Sequence, residues 1–147
     1  MAMNEMPDRA CLVAEARRWI GTPYQHQASV RGAGCDCLGL IRGLWRATHG
    51  TEAEAVPAYG PDWSETAGTE ALWCALDRHL APVGGAMRSG QVLLFRMRAG
   101  SVAKHLGIVS DTVPNARFIH AYSGHGVVES PLSPPWARRI VARFDLT

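Results

Sequence analysis

The segment from Gly34 to Ile41 holds the residues of this chain with the clearest potential for chemistry. It reads Gly-Cys-Asp-Cys-Leu-Gly-Leu-Ile, so Cys37 follows Asp36 directly. The pattern predicts that Asp36 caps a helix and that Cys37 lies in its first turn. A thiol there sits at the positive end of the helix dipole, which favours the thiolate, the form that attacks a carbonyl carbon. The segment therefore predicts a cysteine nucleophile.

Two histidines further along the chain could serve as its partners. His105 and His120 each lie in a strand-like run, and a hairpin through Asp111–Asn115 would place them directly opposite each other. Opposed side chains in a sheet have Cβ atoms about 5 Å apart, so the two imidazoles could share a hydrogen bond. If the helix lays its N-terminus across the same face, Cys37 reaches His105. This is the nucleophile, base and orienting group of a cysteine hydrolase.

The elements that would position these residues change in type along the chain. Apolar residues recur at helical spacing in the first half and alternate in the second half, with Gly, Pro, Asn and Asp between the short runs. Helices followed by a meander of strands predict an α+β domain with N-terminal helices packed on a central antiparallel sheet. The predicted helices are Asp8–Ile20, Asp36–Thr48 and Thr69–Leu80, and the predicted strands are Gln91–Arg98, Lys104–Ser110, Arg117–Tyr122, Val127–Ser130 and Arg138–Phe144. The segment Thr51–Gly68, rich in Pro and Gly, predicts an irregular connection.

Composition limits the classes of function. The 147 residues fit a single domain over residues 1–147, and the net charge of +2 comes from scattered basic residues, which argues against a nucleic-acid partner. No apolar run is long enough for a transmembrane helix, so no membrane partner is expected. The start of the chain lacks the basic and apolar regions of a signal peptide, which predicts synthesis in the cytoplasm with reduced thiols.

Several short segments, in this order along the chain, resemble the signature segments of the NlpC/P60 cell-wall peptidases. The resemblance covers nearly the whole chain, from about Ala10 to Phe144. Its segments are Gly21-Thr-Pro-Tyr24, Asp36-Cys-Leu-Gly-Leu40, Gly90-Gln-Val-Leu-Leu-Phe95, Lys104-His-Leu-Gly-Ile-Val109 and Phe118-Ile-His-Ala121. The amino-acid sequence of Gly34–Leu40 is most similar to that of small family members encoded among the tail genes of phages and phage-like gene transfer agents.

The resemblance implies a papain-like fold and a set of roles. Cys37 would be the nucleophile, His105 the general base and then acid, and His120 the polar third member. Tyr24 would help to hold the oxyanion beside the backbone N–H of Cys37. The implied substrate is the peptidoglycan stem peptide, usually at the bond between D-glutamate and a diamino acid. The implied partners are tail tip or hub proteins, which would carry the chain in a phage-like tail to the cell wall of a target cell.

The sequence departs from the family pattern beside the implied substrate path. Leu38 replaces the common Ser after the nucleophile, Lys104 stands where a small polar residue often precedes the histidine, and His26 lies in the stretch that replaces a Gly-Gly run. These residues are therefore predicted to contact the substrate. For Asp36 a structural role as helix cap is favoured over contact with a substrate amine.

Other interpretations stay open at this stage. Cys37 could be a small buried hydrophobe, and the two histidines could be ordinary sheet residues. Cys35 and Cys37 have a spacing that does not favour zinc, and no metal or cofactor is predicted. A structural tail or hub component that keeps the fold without turnover is the alternative function, and an amidase or acyltransferase with the same Cys–His layout is a third.

Overall fold

The computed structural model describes residues 9–51 and 70–146. Its helices are α1 (Arg9–Arg17), α2 (Cys37–His49), α3 (Ala71–His79) and α4 (Pro134–Ala137). Its strands are β1 (Ser29–Val30), β2 (Gly34–Cys35), β3 (Ala81–Pro82), β4 (Val92–Phe95), β5 (His105–Asp111), β6 (Arg117–Tyr122), β7 (Gly126–Pro131) and β8 (Ile140–Asp145). Helices precede the main strands, which confirms the predicted α+β class.

The large sheet has six antiparallel strands in the order β3-β8-β4-β5-β6-β7. Strands β4 to β7 are neighbours in the order in which the chain makes them, and β8 returns to pair with β4 on its other side. The strand that starts with His105 therefore lies inside the sheet, flanked on both sides.

Alternation along the central strands divides the buried residues between the two faces of the sheet. On one face, Leu106 and Ile108 of β5 pack with Leu40, Ile41 and other residues of α2; we call this the helix-side core. On the opposite face a smaller cluster forms, which we call the aromatic-side core. Its buried members are Leu93, Phe95, Val109 and Phe118, and Trp136 of α4 packs against them.

The boundaries of several elements differ from those predicted. Helix α1 ends at Arg17 rather than Ile20, because the next residues form a tight turn in which the Trp19 amide donates to the Ala16 carbonyl. The β1–β2 hairpin, β3 and α4 were not predicted, since none is long enough to show a period in the sequence. Beyond Thr51, the predicted irregular connection lies outside the described residues.

Two glycines in α2 allow close packing. A Cβ on Gly39 would lie 1.9 Å from the carbonyl oxygen of Ala28, and a Cβ on Gly43 would lie 2.1 Å from the ring of Trp19. Both distances are far below van der Waals contact, so only glycine fits. The first turn of α2 is therefore seated directly against the loop that precedes β1.

Candidate active site

The start of α2 is fixed by Asp36, as the sequence predicted. One carboxylate oxygen, Oδ1, accepts the backbone N–H of Gly39 at 2.7 Å, and Oδ2 accepts that of Gln27 at 2.7 Å. Asp36 is 3% exposed and has an extended backbone, as expected for an N-cap residue. The same carboxylate thus caps the helix and holds the preceding loop. Because Asp36 is the N-cap, Cys37 is the first helical residue.

The thiol of Cys37 lies against the first residues of β5. Its Sγ donates to the carbonyl oxygen of Lys104 at 3.5 Å, and the backbone amide of Leu106 donates toward the sulfur. Those two residues flank His105 on either side. The structure therefore brings the predicted nucleophile to the backbone on both sides of the predicted base.

The route by which α2 reaches His105 differs from the predicted one. The helix was expected to cross the sheet face that carries the histidine side chains, yet it packs on the helix-side core. His105 and His120 contact Trp136 on the opposite face, with ring centroids 5.6 and 5.1 Å from the indole. Because β5 begins at His105, the thiol lies against the backbone at the end of the strand that carries the imidazole.

The two imidazoles share a hydrogen bond. Nε2 of His105 lies 2.8 Å from Nδ1 of His120, and both residues are buried. The predicted register, with His105 directly opposite His120, is wrong by two residues. Ile108 pairs with Ile119 and Val109 with Phe118, and this register places Gly107 opposite His120. A two-residue difference leaves every side chain on its predicted face, so the histidines still meet, along a diagonal.

Gly107 makes this diagonal contact possible. A Cβ built there would lie 2.8 Å from Cδ2 of Phe118 and 3.4 Å from the Cβ of His120. The missing side chain leaves the space through which His120 reaches His105.

The far side of His120 has a partner that the sequence analysis missed. Nε2 of His120 lies 3.0 Å from the hydroxyl oxygen of Ser130 on β7. The pairing of His120 with Val128 and of Phe118 with Ser130 places both side chains on one face. The short turn between β6 and β7 could have indicated this contact in the sequence, because it fixes the pairing of the two strands once both are placed.

Trp136 was also missed. Its ring contacts those of Phe95, Phe118 and Tyr122 as well as both histidines, with centroid separations between 5.1 and 5.6 Å. It lies on the one-turn helix α4, where two prolines interrupt the strand-like pattern. The indole covers the histidine pair on the aromatic side of the sheet.

Burial keeps both histidines uncharged. Burial and, to a lesser extent, the neighbouring His120 lower the pKa of His105 to about 3. Burial, with a further contribution from His125, lowers the pKa of His120 to about 4. His125 itself is an exposed turn residue stacked on Tyr122, with ring centroids 5.1 Å apart. At neutral pH each buried ring therefore carries a single N–H.

The expected preference of Cys37 for the thiolate does not hold in the unliganded protein. Burial, followed by the negative charge of Asp36, raises the pKa of Cys37 to about 12. The backbone amides of Leu106, Leu38 and Cys37 itself lower this pKa, but burial outweighs them. The resting pair is a thiol beside a neutral imidazole.

Tyr24 is held close to the helix start by backbone contacts. It bridges to Cys35, and the flanking Gln25 amide donates to the Cys35 carbonyl at 3.0 Å. Burial and the neighbouring Cys37 raise the pKa of Tyr24 to about 12, so its phenol keeps its proton at neutral pH. A partly exposed O–H donor is therefore available on this side of the thiol.

The remaining predicted site residues lie around this centre. His26 is half-buried, with Nδ1 3.8 Å from the Asp36 carboxylate, while Leu38 packs against the helix-side core. Lys104 contacts the thiol through its backbone carbonyl rather than its side chain. Contact between any of these residues and a substrate stays a prediction.

The sequence pattern of apolar neighbours predicts core positions for Cys11 and Cys74, and this prediction is wrong, because both are exposed on their helices. In the part of the chain that the structure describes, no three His, Cys, Asp or Glu side chains cluster as metal ligands would.

Among residues 9–51 and 70–146, none of the helices has the length and apolar character needed to cross a bilayer.

Comparisons with known proteins give the fold a name. The chain superposes on the crystal structure of the NlpC/p60 domain of the peptidoglycan hydrolase SagA with a TM-score of 0.60 and 21% identity, covering 94% of the chain and 98% of that domain. The chain has the NlpC/P60 fold. An NLP/P60-family protein of Staphylococcus aureus Mu50, described as similar to a lipoprotein, gives 0.58 at 17% identity and covers 99% of this chain and 45% of that protein. NlpC/P60 domains are papain-like, so the predicted fold is confirmed.

Sequence comparison also finds a relative. Over 132 residues the chain is 26% identical to the murein DD-endopeptidase MepS/murein LD-carboxypeptidase of Escherichia coli K12. The match covers 85% of this chain and 59% of that protein, so the chain spans about three-fifths of its relative's length. The same protein from strain O157:H7 matches equally. No family model matches the chain.

Proposed function

We propose that this protein is a cysteine peptidase that cleaves peptide bonds of peptidoglycan. The observation that carries the proposal is the placement of the Cys37 sulfur against the backbone on both sides of His105, whose ring is hydrogen-bonded to His120. Similarity to a murein endopeptidase and the NlpC/P60 fold support the substrate class.

The proposed reaction begins from the neutral thiol and imidazole. Nε2 of His105 faces His120, so Nδ1 is the nitrogen left to take the Cys37 proton as sulfur attacks the carbonyl carbon. The backbone N–H of Cys37, at the first helical position and outside the intrahelical ladder, and the Tyr24 phenol hold the oxyanion. Protonated His105 then gives its proton to the leaving amine, and a thioester remains.

Hydrolysis of the thioester reverses these roles. His105, neutral again, takes a proton from water as the water attacks the acyl carbon. Collapse of the second tetrahedral intermediate returns the proton to the Cys37 sulfur and frees a carboxylic acid, which then loses its own proton to solvent. His120 stays hydrogen-bonded to His105 throughout and orients its ring.

For the bond that is cut, we propose the linkage between D-glutamate and the diamino acid, which the motif resemblance implies. The name of the E. coli relative points instead to DD-crosslinks and LD-bonds. The test is to incubate the purified protein with sacculi and to identify the new termini by mass spectrometry, with Cys37→Ala as the control. A new amine on the diamino acid supports the D-glutamyl bond, a loss of crosslinked dimers supports DD-cleavage, and no product from the unsubstituted protein contradicts peptidase activity.

His120 provides a second check of the same proposal. His120→Asn, which keeps a hydrogen-bonding side chain, is expected to retain part of the activity, and His120→Ala much less. Equal activity of the two variants would contradict an orienting role. Absence of turnover in the unsubstituted protein, together with binding to partner proteins, would instead favour the alternative, a structural component with the same fold.

We further propose that the chain acts as part of a phage-like tail, delivered to the cell wall of a target cell by tail tip or hub proteins. The proposal is supported by the resemblance of the sequence of Gly34–Leu40 to that of small tail-encoded members of the family. The test is isolation of particles from a producing strain and detection of the chain in tail fractions by immunoblotting. Its absence from particles would contradict the proposal and leave the enzymatic one intact.

A further inference from the structure

Ser130 completes a row of hydrogen-bonded polar side chains that begins at His105. Its hydroxyl oxygen lies 3.0 Å from Nε2 of His120, and Nδ1 of His120 lies 2.8 Å from Nε2 of His105. His120 is fully buried, so both of its ring nitrogens depend on protein partners. The three side chains come from the successive strands β5, β6 and β7.

The hydrogen bonds in this row constrain one another. Each neutral imidazole has one donor and one acceptor nitrogen. For His105 to take the Cys37 proton on Nδ1, its own proton must be on Nε2, where it donates to Nδ1 of His120. The His120 proton must then be on Nε2, where the group that faces it is the Ser130 hydroxyl oxygen.

The requirement becomes stricter after proton transfer. Once His105 is an imidazolium, both its nitrogens are donors, so His120 must accept at Nδ1 and must keep its proton on Nε2. A buried N–H without an acceptor carries the full desolvation cost of that group. An acceptor at Nε2 of His120 thus stabilises the charged form of His105, the form present in the transition state and not in the resting protein.

We propose that Ser130 is a positioning residue that sets the tautomer of the histidine pair by accepting a hydrogen bond from Nε2 of His120. This inference rests on the proposed function for its kinetic consequence. The tautomer itself is a property of the resting protein and can be measured without substrate.

The experiment compares Ser130→Ala and Ser130→Thr with a matched control. Ser110→Ala removes another largely buried hydroxyl from the same sheet, one that donates to Glu129 at 2.6 Å and lies outside the row. Kinetics are measured on a soluble stem-peptide substrate or, in its absence, on solubilised sacculus fragments. The tautomers of His105 and His120 are read from ¹⁵N-histidine NMR of the full chain at pH 7.

Ser130→Ala is expected to lower kcat roughly ten- to hundredfold with little change in KM. Ser130→Thr should restore most of this loss because it returns the hydroxyl, and Ser110→Ala should leave kcat close to that of the unsubstituted protein. In the unsubstituted protein, NMR should show the proton of His120 on Nε2, and in Ser130→Ala the populations of the two tautomers should shift.

A His120 proton on Nδ1 in the unsubstituted protein would overturn the proposal, and so would an unchanged kcat in Ser130→Ala. Equal losses in Ser130→Ala and Ser110→Ala would also overturn it, since they would reflect a general effect of removing a buried hydroxyl. If no protein in the series cleaves substrate, the proposed function fails, while the NMR result still decides the tautomer.

Discussion

The buried histidine pair should make the protein sensitive to mild acid. The pKa of His105 is lowered from 6.5 to about 3 and that of His120 to about 4, so between these values and 6.5 the unfolded chain binds protons that the folded protein does not. The stability that comes from keeping the pair neutral is present above pH 6.5. It is lost as the pH falls from 6.5 toward the folded pKa values.

The size of the effect follows from the two pKa shifts. Each histidine changes the free energy of unfolding by at most about 1.4 kcal/mol per pH unit in this window. For both histidines together, the free energy of unfolding falls by on the order of 4 kcal/mol between pH 7 and pH 5. Domains of this size have a total stability of about 5–15 kcal/mol, so acid alone should bring the protein close to unfolding by about pH 4.

The assay is urea unfolding followed by circular dichroism at pH 7, 6 and 5. His120→Gln removes one of the two titrating groups and should roughly halve the slope of the unfolding free energy against pH, relative to the unsubstituted protein. Glu129 does not affect this comparison. Burial raises its pKa, but hydrogen bonds from Arg17 and Ser110 lower it, so that overall the pKa lies below 4.5. Its contribution to stability is therefore lost at lower pH. A flat profile between pH 7 and 5, or equal slopes in His120→Gln and the unsubstituted protein, would refute the reasoning.

Three further perturbations test the geometry around the site. Cys37 should react slowly with iodoacetamide at pH 7, because its pKa is raised to about 12. Asp36→Asn, which keeps a capping side chain, should speed the reaction near pH 8. An unchanged rate would count against the role of the carboxylate charge. Gly107→Ala should lose about 1–3 kcal/mol in urea unfolding and should separate the histidines, and wild-type stability together with full activity would contradict the close packing there. Trp136→Ala should hydrate the pair and raise the pKa values of both histidines in NMR titrations, while Trp136→Phe should raise them less; identical titrations in both variants would show that the indole does not shield them.

Much of the site could be predicted because its determinants are local. Asp36 before an apolar helical pattern is sufficient to place Cys37 at a helix start, and alternation is sufficient to place His105 and His120 on one face of the sheet. The exact pairing of the strands depends on features that local pattern does not show. One such feature is the bulge at β5, where Val109 pairs with Phe118 but Asp111 with Arg117, which changes the register by one residue along the hairpin.

The protonation state and the outer shell of the site could not be predicted for a different reason. The pKa of Cys37 depends on burial beneath groups that lie far away in sequence, and this outweighs the helix end on which the prediction was based. Ser130 and Trp136 come from the last part of the chain, where the proline-containing α4 follows β7 and breaks the alternation. Their positions follow only from the assembled sheet.

The division of the sheet into two separately packed faces has a practical consequence for protein engineering. The sulfur packs with the helix-side core and the imidazoles with the aromatic-side core, and the sulfur reaches the strand of His105 through the backbone at the first residues of β5. Substitutions in one layer should therefore combine additively with substitutions in the other, except at that junction. Directed evolution could adjust acid–base strength through the aromatic layer while leaving the attacking atom undisturbed.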